Sequence, residues 1–176
     1  MKVNNHGKAE PIYFDGYKRI RAQLCREYYI MFWDIAYYTG ERWGADGKAR
    51  SSITFKKSTR KDKVTREVPV SAALALRLKH YDLPASEWLF PSPLDASKHI
   101  SFRALDAQLR KAIDRAGLSG LGYSTHSTRR GFITALHERG ISIRVIQSIT
   151  GHKNLNVLSG YIDVTDEQKR AALATL

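Results

Sequence analysis

The stretch Tyr28-Tyr29-Ile30-Met31-Phe32-Trp33-Asp34-Ile35-Ala36-Tyr37-Tyr38 is apolar on nearly every face of a helix. A helix on a protein surface keeps one polar side, so a segment like this belongs inside a core. It is too short to span a bilayer, and Asp34 interrupts it. The run stops at Thr39-Gly40, where glycine can take the left-handed conformation that ends helices. The helix it closes is expected to begin near Gly16. A chain of 176 residues is long enough to build a single core around it.

The rest of the chain reads as more helices and one small sheet. Residues 1–15 are polar and irregular, which predicts a flexible lead-in, with one domain over 16–176. Residues 41–50 are rich in turn formers. In Ser52-Ile53-Thr54-Phe55 and Glu67-Val68-Pro69-Val70, alternate apolar residues share a face, as in short strands. Pro69 puts the second strand at an edge. Ser71 reads as the N-cap of a helix to about Lys79, and Leu89-Phe90-Pro91-Ser92-Pro93 as an extended connection. Helices are expected over 101–116, 126–139 and 142–150, closed by Gly117, Gly140 and Gly151. Thr165-Asp166-Glu167-Gln168 matches a capping box opening a last helix. The fold class is α+β, mainly α: a helical bundle with a small antiparallel hairpin on one side.

Charge narrows the partner. Lys and Arg number 29 against 17 acids, a net charge of +12. Such an excess favours a polyanion, because cations placed on phosphates release condensed counterions. The single cysteine, Cys25, excludes an internal disulfide. The start, Met1-Lys2-Val3-Asn4-Asn5-His6, has no apolar signal region, so a cytoplasmic, nucleoid-associated location is expected. No metal-ligand spacing is present, and neither a metal nor another cofactor is expected.

Ser124-Thr125-His126-Ser127-Thr128-Arg129-Arg130 sets a His and an Arg three apart at a helix start. That spacing puts both on one face, beside free N–H groups that favour an anion. H-x-x-R alone occurs by chance on many surfaces. Further on come Gln147-Ser148-Ile149-Thr150-Gly151-His152 and Gly160-Tyr161. A tyrosine there would ordinarily be read as packing at the edge of a core.

Together these elements resemble the tyrosine recombinases of the phage integrase family. His126, Arg129, Gly151-His152 and Tyr161 fall in the family's order, and Tyr38-Thr39-Gly40-Glu41-Arg42 is similar to its T-G-x-R motif. The resemblance covers roughly residues 30–170. It implies a catalytic domain in which Tyr161 attacks a DNA phosphate, leaving a 3′-phosphotyrosyl link and a free 5′-hydroxyl. Arg42 and Arg129 would clamp the non-bridging oxygens, His152 would donate to the same phosphate, and His126 would take or orient the phenol proton. A hairpin lysine would protonate the departing oxygen. Counting back from Val68-Pro69-Val70 favours Lys61, with Lys57 and Lys63 as alternatives. Lys56, Lys57, Arg60, Lys63, Arg66 and Arg130 are then expected at the DNA backbone. Double-stranded DNA is the implied partner, in a tetramer assembled through the C-terminal helix, whose apolar side carries Ala171, Ala172, Leu173 and Leu176.

The chain departs from the family pattern in two places. Arg42-Trp43-Gly44-Ala45-Asp46-Gly47 enters a turn where the family continues its helix, so Arg42 and Lys61 stand unusually close in sequence. The family's core-binding module has no counterpart ahead of residue 16, so a catalytic domain without that module is expected. Three other readings remain open: a helix-turn-helix regulator using residues 126–150, a type IB topoisomerase-like strand transferase, and an inactive relative that only binds DNA. The regulator reading suffers from a second helix, Ile143 to Ile149, that is apolar at several turns.

Overall fold

In the computed structural model, which describes residues 9–40, 52–55, 65–86, 88–162, 164 and 166–175, the apolar run forms α2 (Glu27–Thr39). It buries Met31, Phe32, Trp33, Ile35 and Ala36. The one helix expected from Gly16 is in fact two. Helix α1 spans Phe14–Ala22, and the chain reverses through residues 23–26 before α2 begins. No Gly or Pro marks this break, and its cause is tertiary. The reversal carries Tyr17 and Arg21 to Asp34, which is fully buried. The Tyr17 hydroxyl donates to Asp34 Oδ1, and Arg21 grips the carboxylate with Nε on Oδ1 (2.8 Å) and Nη2 on Oδ2 (3.0 Å). Trp33 Nε1 donates to the Tyr17 carbonyl at 3.3 Å. An uninterrupted helix would leave that carboxylate buried without these partners, a costly arrangement.

The lead-in expected over 1–15 is held in its described part. Ile12 is 1% exposed, and its N–H donates to the Ser127 carbonyl at 3.2 Å; the Glu10 N–H reaches the Gly122 carbonyl at 3.4 Å. One buried isoleucine outweighs its polar neighbours.

Strands β1 (Ser52–Phe55) and β2 (Arg66–Pro69) pair antiparallel with Ile53 opposite Val68. Helix α3 (Ala72–Lys79) follows, with Ser71 Oγ accepting from the Leu74 N–H as the N-cap residue should. It brings Arg77 Nη1 within 3.5 Å of Asp34 Oδ2 and lays that guanidinium over the Tyr38 ring. Helix α4 (Phe102–Arg115), capped by Ser101, buries the stripe Leu105, Leu109, Ala112 and Ile113. Leu109, Ala112 and Ile113 join Ile12, Tyr17, Ile20 and Trp33 in one core.

The chain divides into two compact units, Met1–Phe132 and Ile133–Leu176, and the division falls within α5 (Ser127–Glu138). The second unit has its own small core of Ile133, Ile146 and Leu158, all fully buried. Ile146 lies on α6 (Ile143–Thr150), which Ser142 caps through the Val145 N–H. Leu158 lies on α7 (Leu155–Ser159), which the sequence did not announce because five residues are too few to show a period. Helix α8 (Asp166–Leu173) has no buried residue, and its expected cap, Thr165, is outside the described residues.

Replacing Asp34 by alanine would remove the shared counterion of Arg21 and Arg77. A loss of about 3 kcal/mol in urea unfolding is expected, as when one partner of a buried pair is deleted. Lys169→Ala, at the exposed pair with Asp166, should cost less than about 1 kcal/mol. Equal effects at the two sites would show that the buried carboxylate has no special structural role.

Candidate active site

The first unit presents His126 and Arg129. The Ser127 N–H donates to the Ser124 carbonyl, and Ser127 Oγ accepts from the Ser124 N–H, both at 2.9 Å. This closed turn launches α5. His126 stands at the cap position, its carbonyl receiving the Arg130 N–H at 3.0 Å and its side chain exposed. Arg129 points inward and is only 4% exposed. Its Nη1 donates to the Gly40 carbonyl at 2.9 Å, which ties the H-x-x-R arginine to the left-handed Thr39-Gly40 turn that ends α2. Arg130 is half-buried.

That turn is tightly determined. Thr39 is fully buried, and its hydroxyl donates to the Ile35 carbonyl at 2.7 Å. Gly40 has φ 62°, and its N–H closes α2 onto the Ala36 carbonyl. A Cβ at Gly40 would stand 2.7 Å from Phe132 Cγ. Glycine is therefore required twice over, by conformation and by space. Gly131 is required by space, since a Cβ there would run into the Ile12 carbonyl.

The second unit presents His152 and Tyr161. His152 follows Gly151, whose N–H closes α6 on the Gln147 carbonyl at 2.7 Å. Gln147 Nε2 donates to the His152 carbonyl at 2.8 Å, and the Thr150 hydroxyl lies 2.8 Å from His152 Nδ1. The His152 and Tyr161 rings are 5.5 Å apart between centroids, inclined at 52°. Tyr161 is half-buried and packs against the small core. Its N–H reaches the Leu158 carbonyl at 3.0 Å, and its carbonyl accepts from Thr134 Oγ1 at 3.2 Å.

Burial and the neighbouring Asp34 push the Tyr17 phenol far up, and burial pushes those of Tyr29 and Tyr81 to about 12. Arg42, Lys56, Lys57, Arg60, Lys61 and Lys63 lie outside the described residues. So does the Arg66 side chain, although its backbone belongs to β2. Among the described residues no group of three His, Cys, Asp or Glu could hold a metal ion, and no helix is long and apolar enough to cross a membrane.

Four supporting groups escaped the sequence reading: the Gly40 carbonyl, Thr134, Gln147 and Thr150. One signal was available. Thr-Gly occurs just ahead of two candidates, as Thr39-Gly40 before Arg42 and as Thr150-Gly151 before His152.

The model of the phage integrase family matches residues 15–168, and the chain belongs to that family. Its fold, mainly α with a small antiparallel sheet, is that of the tyrosine recombinases. It is similar to a tyrosine recombinase of Pseudothermotoga lettingae, 32% identical over 120 residues, covering 66% of this chain and 40% of the relative. It also resembles the tyrosine recombinase XerD of Brucella suis, 28% identical over 128 residues, with coverage of 68% and 41%. The chain thus spans about two fifths of the length of these relatives. Among solved structures, the XerA recombinase superposes with a TM-score of 0.73 at 20% identity, covering 97% of this chain and 66% of the other. A lambda integrase dimer bound to a COC′ core site superposes with a TM-score of 0.70 at 21% identity, covering 89% and 48%.

Gly40→Ala is expected to destabilise the protein by about 2–4 kcal/mol, combining a left-handed alanine with a clash on Phe132. Adding Phe132→Leu should restore only the packing part. A neutral Gly40→Ala in urea titration would contradict the left-handed turn.

Proposed function

We propose that this chain, over 16–176, is the catalytic domain of a site-specific DNA recombinase acting in DNA integration or recombination at a mobile element. The observation that carries the reading is Tyr161: half-buried, braced at both its backbone N–H and carbonyl, with its ring against His152. A nucleophile needs that combination of access and fixed geometry.

In this reading the Tyr161 oxygen attacks the scissile phosphorus while the bond to the 5′-oxygen breaks. His126 receives the phenol proton, and Lys61 protonates the departing oxygen. The bond exchanged is ester for ester, so the reverse attack by a 5′-hydroxyl reseals DNA without an energy source. Arg42 and Arg129 hold the non-bridging oxygens, where permanent charge and forked donors suit a phosphate and stabilise the transition state. His152 donates to the same phosphate. Lys56, Lys57, Arg60, Lys63, Arg66 and Arg130 line the DNA backbone, their contacts independent of sequence. Gln147 argues against a helix-turn-helix regulator. The amide that a recognition helix would turn to base edges is engaged on the His152 carbonyl.

A DNA substrate nicked near the cleavage point traps the covalent intermediate. The wild-type chain should give a protein–DNA adduct on a denaturing gel, and Tyr161→Phe should abolish it. A wild type that forms no adduct at DNA concentrations saturating its binding would remove the enzymatic reading.

Assembly into a tetramer is proposed to run through α8, exchanged between protomers on DNA. Supporting this, Ala171, Ala172 and Leu173 are all exposed, Leu173 at 69%. Truncation after Val164 is expected to leave DNA affinity unchanged and weaken assembly on DNA, as read by analytical ultracentrifugation. Unchanged assembly would assign α8 no part in it.

A further inference from the structure

Thr150 closes α6, and its hydroxyl meets two partners of different kinds. One is the Ile146 carbonyl oxygen at 2.7 Å; the other is His152 Nδ1 at 2.8 Å. A hydroxyl has one proton to donate and two lone pairs that accept. A carbonyl can only accept, so the Thr150 proton lies toward Ile146. The contact with His152 then forms only if Nδ1 itself carries a proton and donates it to the Thr150 oxygen. The opposite assignment, with Thr150 donating to Nδ1, would leave two oxygens 2.7 Å apart with no proton between them. Gln147 fixes the other end of the histidine by donating to its carbonyl at 2.8 Å. Gln147 and Thr150 stand three apart on α6 and so share one face. Both Thr150 and His152 are buried, at 0% and 8% exposure, so water competes little for the ring.

We infer that Thr150 is a positioning residue that holds His152 in its Nδ1–H form, leaving the lone pair on Nε2 in the neutral ring. The hydrogen bond made by one ring nitrogen sets the state of the other. Nε2 therefore accepts a proton when the ring is neutral and donates only as an imidazolium. The inference deepens the proposed function and rests on it only for the phosphate. Given that phosphate, His152 meets it as a cation and contributes a charge along with the hydrogen bond.

The test is heteronuclear NMR of the full chain with 15N-labelled histidine, the His152 signals being identified by their loss in His152→Gln. Spectra are followed through the ring's own titration to its alkaline side. Wild type and Thr150→Ser should both show a protonated Nδ1 and a bare Nε2. Thr150→Val, of equal size but without the hydroxyl, should shift the ring toward Nε2–H. A bare Nδ1 in the wild type overturns the inference, as does a tautomer unchanged in Thr150→Val. If the valine variant does not fold, the wild-type and serine spectra decide the matter alone. No DNA is needed, so the outcome is independent of whether the chain cleaves. With the nicked substrate, Thr150→Val should cleave on the order of tenfold more slowly at unchanged DNA affinity, the size of one hydrogen bond to a charged group. Thr150→Ser should recover the rate, and equal rates in all three proteins would refute the positioning role.

Discussion

Burying the Arg129 guanidinium is the constraint around which the first unit is organised. A permanent charge at 4% exposure is costly to hold unless the protein supplies acceptors and a favourable field. The carboxyl end of α2 supplies both. Its Gly40 carbonyl accepts the hydrogen bond, and the negative end of the helix dipole suits a cation. Much else in the unit serves this one contact. Gly40 takes a left-handed turn so that its carbonyl is available, and it packs against Phe132 where a methyl group has no room. Gly131 lets α5 approach the Ile12 segment. Farther back, Asp34 ties α2 to α1 through Arg21 and to α3 through Arg77, which steadies the helix whose end receives Arg129.

Helices α2 and α6 end by the same device. In each, a buried threonine donates its hydroxyl back to the carbonyl four residues earlier, and a left-handed glycine closes the last turn. The two ends differ in what they hold. At α2 the glycine carbonyl receives an arginine from far along the chain. At α6 the threonine oxygen has a lone pair left over, and the histidine two residues on takes it. A Thr-Gly helix end is thus both a stop and a bracket, because its threonine oxygen can accept as well as donate.

Much of the fold was legible because its signals are short-range. The apolar run marked α2, a serine cap marked α3, closing glycines marked the ends of α4 and α6, and alternation marked the two strands; all of these depend on residues within a few positions of one another. The break between α1 and α2 was not legible. Nothing local in Gln23-Leu24-Cys25-Arg26 ends a helix, and the cause lies at Asp34. Helix α7 was missed for the opposite reason, being too short to have a period. Among the candidates, His126, Arg129, His152 and Tyr161 were identified by type and order, and their supports were not. Gly40 and Arg129 are separated by 89 positions, and no local pattern relates a backbone carbonyl to a guanidinium at that distance.

The amino-acid sequence by itself determined the family and the mainly helical class and singled out the candidate side chains, since composition, periodicity and residue order are properties of the chain alone. Tertiary structure decided that Arg129 is buried and anchored and that Asp34 is the hub of α1, α2 and α3. These outcomes depend on which groups lose their water together, and that is settled only when segments distant in sequence pack against one another.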